Sequence, residues 1–143
     1  MKNVTDLLKA KPARAMITVK PEDTVLDAIK VLAREDIGAA AVIEDGKLVG
    51  IFSERDYTRK VILLGRHSES TRIEEIMTRN VICVNPRTKT RDCMALMSEK
   101  NIRHLPVVDD GRVVGMVSIR DIVTDIIADQ DFTISQLEQY IVS

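Results

Sequence analysis

Charge of one sign, long apolar runs and cysteine are all scarce in this sequence, and each scarcity closes off a class of function. The 21 basic and 22 acidic residues nearly cancel, leaving a formal net charge of −1. A broad nucleic-acid surface needs many phosphate-facing cations, so that class is set aside, although a few local cations can still hold a small anion. The apolar runs are too short and too interrupted to span a bilayer. The start, Met1-Lys2-Asn3-Val4-Thr5-Asp6, lacks the apolar core of a signal peptide, and a cytoplasmic protein is expected, although a processed organelle protein would look the same. The two cysteines, Cys83 and Cys93, stand in neither a metal nor a redox spacing. Both read as reduced and mostly packed, with Cys93 on an apolar helix face. His67 and His104 are far apart and have no acidic ligand cluster, so no metal is expected. No nucleophile, base and orienting group stand in a catalytic pattern, which points away from an enzyme.

What is present is a repetition. Gly50-Ile51-Phe52-Ser53-Glu54-Arg55-Asp56 returns as Gly115-Met116-Val117-Ser118-Ile119-Arg120-Asp121. Slid against itself by the same offset, the chain matches without gaps over residues 16–62 and 81–127. Identities include Pro21/Pro86, Asp27/Asp92, Ile37/Ile102, Val42/Val107 and Gly46/Gly111. Chance does not place proline, glycine and aspartate in one register so often, so the chain contains an internal duplication.

Each unit predicts a β-α-β-β-α order, for an α/β (α+β) fold class. A short strand, Met16–Val19 or Val81–Val84, stops at a proline that cannot continue a ladder. A helix follows, with Val25, Ala28, Ile29, Leu32 and Ala33 on one face, matched by Cys93, Met94 and Met97. Thr24 with Asp27 resembles a capping box, and Thr88 is the expected cap in the second unit. Asp45-Gly46 and Asp110-Gly111 sit between apolar runs, a hairpin signal because the turn wants positive φ. A second helix starts after the repeated serine, lined by Tyr57, Val61 and Leu64, or by Ile122 and Ile126 with Val123 and Ile127. Short amphipathic pieces, Val4–Leu8 and Ile73–Met77, precede the units. Phe132, Ile134, Leu137, Tyr140 and Ile141 give a last helix whose stripe packs either on its own domain or on a second subunit. The expected divisions are residues 1–70, 71–128 and 129–143.

Ser-x-x-Asp at a helix start is, taken singly, a cap. Its recurrence with a preceding glycine and an internal arginine suggests more. The glycine would let a ligand approach the strand end. The serine and free N–H groups suit a phosphate or sugar oxygen, and the carboxylate suits a ribose diol.

On Ile17–Pro21, Ile37–Ile43 and Asp45–Asp56, with Val81–Pro86, Ile102–Val107 and Gly111–Asp121, the duplicated unit resembles a CBS (cystathionine β-synthase) domain. The chain looks like a stand-alone pair of them over residues 4–127. The resemblance implies two repeats packed as a pseudo-twofold pair with two clefts. In one, Ser53, Arg55 and Asp56 would face Val81, Ile82, Arg103 and His104. In the other, Ser118, Arg120 and Asp121 would face Met16, Ile17, Gly38 and Ala39. The aspartates would hold ribose, the apolar strand residues adenine, and Arg103 with His104 a phosphate. The implied ligand is an adenine nucleotide, AMP ahead of NAD(H), ADP and ATP. The implied role is regulatory, in a homodimer that signals to an unknown protein client. The alternative is a partner-binding or redox-linked regulator, similar to the thioredoxin-linked plant members, with vestigial nucleotide sites and Cys83 as the sensitive thiol.

Overall fold

The computed structural model describes the backbone of residues 2–12 and 16–142, with side chains apart from those of 131–133, 135–137 and 139–142. In the first repeat, β1 (Thr18–Val19) leads to α2 (Val25–Glu35), β2 (Ala39–Glu44), β3 (Lys47–Ser53) and α3 (Glu54–Tyr57), which runs on as a π-helical turn (Thr58–Ile62). The second repeat consists of α5 (Thr90–Lys100), β4 (His104–Asp109), β5 (Arg112–Ser118) and α6 (Ile119–Val142). Two short helices, α1 (Val4–Lys9) and α4 (Ile73–Ile76), precede the repeats in the chain. The architecture is mixed α and β, with a sheet ordered β1-β2-β3 and a second, β4-β5.

The duplication is visible in backbone geometry. Asp45 and Gly46 have φ of 52° and 77°, and Asp110 and Gly111 have 51° and 78°, the two positive values that a tight hairpin turn demands. Both hairpins close on the same register, Glu44 opposite Lys47 and Asp109 opposite Arg112, and both carry an irregularity two residues earlier. Helices α2 and α5 each end on a left-handed residue, Asp36 and Asn101, at φ 53°. The leading strands are shorter than expected. Only Thr18 and Val19 pair with β2, in parallel, and Val81–Val84 reduces to a single parallel bridge between Val84 and Val107.

The short leading helices exchange between the repeats. Val4 and Leu7 of α1 are buried against Val84, Cys93, Leu105 and Ile122 of the second repeat. Ile73 and Ile76 of α4 are buried with Val25, Leu32, Phe52 and Val61 of the first. The same backbone bonds seat both. Val25 donates to Thr71 O, Ile73 to Asp23 O and Glu74 to Pro21 O. In the second repeat Thr90 donates to Lys2 O, Val4 to Thr88 O and Thr5 to Pro86 O. Helix starts leave orphan N–H groups, and here the exchanged segment supplies acceptors for them. Burying an isoleucine such as Ile73 fully is worth about 1.5–3 kcal/mol, so each repeat depends on a segment that lies beside the other in sequence.

Several local expectations change. Thr24 caps α2 through the Asp27 N–H, but the Thr88 hydroxyl accepts from the Asn85 N–H at 3.1 Å, and Lys89 takes the N-cap position of α5. Cys93 and Met97, one turn apart, face the core, whereas Met94 is 39% exposed and Ala33 is exposed. Val61 is buried, yet Leu64 is 68% exposed, because the π turn widens the helix by a residue and ends it at Ile62. Val123 and Ile127 are exposed on α6, off the face that buries Ile122. The expected last helix is the uninterrupted continuation of α6. Ile134 on it is exposed, and the side chains of Phe132, Leu137, Tyr140 and Ile141 lie outside the described residues. Among the described residues, no helix is long and apolar enough to cross a membrane.

Candidate functional site

The repeated phrase straddles a strand end and a helix start in both repeats. Ser53 is the last residue of β3 and the N-cap of α3, and its Oγ accepts the Asp56 N–H at 3.1 Å. Asp56 Oδ2 returns the bond, accepting the Ser53 N–H at 2.9 Å and its hydroxyl at 3.0 Å. At the β5–α6 junction, Asp121 Oδ2 accepts the Ser118 N–H at 2.8 Å and Ser118 Oγ accepts the Asp121 N–H at 3.1 Å. The capping role of Ser-x-x-Asp is therefore real in both copies. It also holds each carboxylate in one orientation, which a binding site needs.

Three residues on these carboxylates were not singled out from the sequence. Lys60 Nζ lies 3.0 Å from Asp56 Oδ1, and Thr78 Oγ1 lies 3.3 Å from the same oxygen. Lys11 Nζ lies 2.9 Å from Asp121 Oδ2. Lys60 was readable, since it follows Asp56 by four positions on a helix. Thr78 and Lys11 arrive on the exchanged segments, which spacing alone does not place.

The glycines of the phrase serve packing rather than ligand approach. A β-carbon on Gly50 would lie 2.7 Å from Met77 Sδ and 3.0 Å from the Thr78 carbonyl oxygen. One on Gly115 would lie 2.8 Å from Leu8 Cδ2. Met77 and Leu8 belong to the exchanged segments, so the absent side chains make room for the exchange.

Bonds within the hairpins and contacts between the repeats place some of the remaining candidates. Ala39 pairs with Ser53, and His104 pairs with Ser118, within their own hairpins. The Gly38 carbonyl accepts the Glu54 N–H at 3.0 Å, and the Arg103 carbonyl accepts the Ile119 N–H at 2.8 Å, equivalent bonds in the two repeats. Contacts across the repeats are specific. Arg55 donates to the Asn101 carbonyl at 3.0 Å. The His104 ring abuts Gly38, where a β-carbon would come within 3.1 Å of Nε2 and 3.3 Å of Glu54 Oε1. The charges bearing on His104 are those of Asp121, Lys11 and Arg103. Burial pushes its imidazole below the usual value, partly opposed by Asp121, so the ring is neutral near pH 7. His104 thus borders the start of α3 and feels the charge of Asp121. Met16, Ile17, Val81 and Ile82 are half-buried beside the leading strands, while Arg103 and Arg120 are exposed. Cys93 is buried as expected, whereas Cys83 is exposed, because it lies on the leading segment of the second repeat, where Val84 alone forms a bridge. Among the described residues, no group of three or more histidine, cysteine or acidic side chains could hold a metal ion.

Comparison with known proteins agrees with this geometry. Residues 4–62 and 73–128 match the CBS domain family. The chain is 38% identical to the CBS domain-containing protein CBSX3, mitochondrial, of Arabidopsis thaliana, over 96% of this chain and 71% of that one. It superposes on a protein with CBS domains from Burkholderia ambifaria with a TM-score of 0.86 at 50% identity, covering 90% of this chain and 96% of that one. The CBS domain pair of protein MJ0100, in complex with 5′-methylthioadenosine and S-adenosyl-L-methionine, superposes with a TM-score of 0.76 at 34% identity, covering 86% and 98%. Two repeats of one fold, each matched by the same family and tied by exchanged helices, make this chain a member of the CBS-domain family, built as a pair of such domains.

Proposed function

We propose that the chain is a regulatory module that binds an adenine nucleotide and signals by a change in the relative orientation of its repeats. The observation that carries this reading is a single arrangement occurring twice: an aspartate carboxylate fixed by a serine at a helix start, at Asp56 and again at Asp121. Such a carboxylate can accept a ribose diol, and its likeness to a pair held in complex with two adenosyl compounds supports the ligand class. Met16 and Ile17 at one site, and Val81 and Ile82 at the other, are the apolar walls for adenine in this reading. AMP leads the candidates, followed by NAD(H), ADP and ATP.

The phosphate wall in this reading is Arg103 with His104. His104 abuts Gly38 beside Glu54 at the start of α3, which supports its acting on the Asp56 side. The Asp121 and Lys11 charges that bear on it support a contribution to the Asp121 site as well. A neutral imidazole there is a hydrogen-bond partner, and Arg103 supplies the charge. The Arg55–Asn101 contact offers a coupling route, because it ties a site residue of one repeat to a helix end of the other. A nucleotide shifts this orientation only if it binds the two arrangements with different affinity. A homodimer belongs to the proposal, supported by the outward apolar residues Val123 and Ile127 of α6, and light scattering tests it.

The deciding experiment is a panel of AMP, ADP, ATP, NAD⁺, NADH and S-adenosylmethionine, read by thermal shift and calorimetry on wild type, Asp56→Asn and Asp121→Asn. Ligand at 100 times Kd stabilises by about 2.7 kcal/mol. Each variant should lose one site; no response from wild type to any ligand would overturn the reading. The redox-linked alternative is weaker, because partial desolvation of the sulfur, on a residue that is exposed as a whole, raises the Cys83 thiol pKa and keeps the nucleophilic thiolate scarce.

A further inference from the structure

We infer that Lys11 and Lys60 are specificity-determining residues, making both sites select a phosphorylated adenosyl ligand over a neutral one; this rests on the nucleotide reading above. Each site carboxylate already holds an ammonium: Lys60 on Asp56 at 3.0 Å and Lys11 on Asp121 at 2.9 Å. The pairing was not copied by the duplication. Lys60 sits in the π turn after α3, and the matching position in the second repeat is Asp125, which holds Lys2 Nζ at 2.6 Å instead. Lys11 reaches Asp121 from beyond α1, on the exchanged segment. The same ion pair is thus built from two unrelated positions. Each ammonium is also tethered by a backbone carbonyl, Lys60 to Ile76 O at 3.0 Å and Lys11 to Met116 O at 2.9 Å, so it stays at the site when the carboxylate is taken.

The consequence is chemical. A ribose diol that donates to Asp56 or Asp121 competes with the lysine for the carboxylate oxygens. Displaced, the ammonium loses its counter-charge on a side chain that is itself only 41% exposed for Lys60 and 34% for Lys11. A phosphate on the same nucleoside restores an anionic partner, so a nucleotide exchanges one ion pair for another. A neutral nucleoside breaks an ion pair and replaces it with nothing of like strength.

The test is calorimetric titration of AMP and of adenosine into the full chain, as wild type, Lys11→Met, Lys60→Met, the double Met variant and the double Arg variant. Wild type should bind AMP about tenfold or more tightly over adenosine, the scale of one hydrogen bond to a charged group. Each Met substitution should weaken AMP and leave adenosine unchanged or tighter, so that the ratio falls towards one in the double Met variant. The double Arg variant keeps both charges and should retain the wild-type preference, which a merely structural role does not require. Parallel weakening of both ligands, or an unchanged ratio, overturns the inference while leaving the nucleotide reading intact. Wild type that binds neither AMP nor adenosine nor any other member of the panel overturns both.

Discussion

Met77 Sδ fills the space beside Gly50, so closely that a β-carbon on the glycine would come within 2.7 Å of the sulfur. The Thr78 carbonyl oxygen, at 3.0 Å, leaves that carbon no second direction. Gly50→Ala should therefore destabilise the protein by about 1–3 kcal/mol, the usual cost of overpacking a filled core. Gly115→Ala should cost less, because the atoms it meets are the ends of the Leu8 side chain and no backbone. Urea unfolding of both variants and of Gly50→Ala with Met77→Ala measures this. If the tight contact is the cause, the double variant costs less than the sum of the singles.

Ile73 is fully buried in the core of the first repeat, although it follows that repeat's last helix by a polar connector. Ile73→Ala should cost about 2–5 kcal/mol. Hydrogen exchange should speed first in α2 and β3, which share its core, rather than in α5. Faster exchange confined to α5 would mean that α4 packs on the repeat it precedes.

His104 gives stability a defined pH dependence. Its folded pKa lies below the ordinary 6.5 because burial disfavours the charged ring, so the unfolded chain binds the proton more readily. Stability is then full above the ordinary value and falls as pH drops from there towards the depressed folded value. The slope from this one residue is at most about 1.4 kcal/mol per pH unit. His104→Gln should flatten the urea midpoint between pH 7 and 5 relative to wild type. Identical pH profiles would rule out this residue as the cause.

Ser53 and Ser118 each cap a helix start through an aspartate N–H. Either serine replaced by alanine should cost about 1 kcal/mol in thermal unfolding without ligand. Asp56→Asn keeps the shape and an acceptor but removes the charge facing Lys60, so it should cost some stability and also abolish the ligand response of its site. A large stability loss with ligand response intact would assign Asp56 to the fold alone.

What local chemistry dictates was legible in the chain. Asp-Gly at 45–46 and 110–111 could only close hairpins, because both residues tolerate positive φ. The serine and aspartate of each repeated phrase are three residues apart and cap the same helix start, so spacing alone was enough to find them. Register in duplicate identifies the repeat, and helical spacing puts Cys93 in the core, where it is buried. Other features hang on segments distant in sequence. Thr88 lost its expected cap because Asn85 and the exchanged N-terminal segment satisfy that turn. Leu64 left the apolar face because a π turn changed the helix register, and periodicity assumes 3.6 residues per turn.

The sequence by itself determined that two copies of one unit exist and where each puts its serine and aspartate, since these follow from spacing and turn chemistry. Only the tertiary structure decided what meets them. Exchange of α1 and α4 brings Met77 against Gly50, Leu8 against Gly115, Thr78 onto Asp56 and Lys11 onto Asp121. A short amphipathic helix carries an apolar stripe but no address. It is the shape of the available cores, and the backbone acceptors beside them, that selected the other repeat.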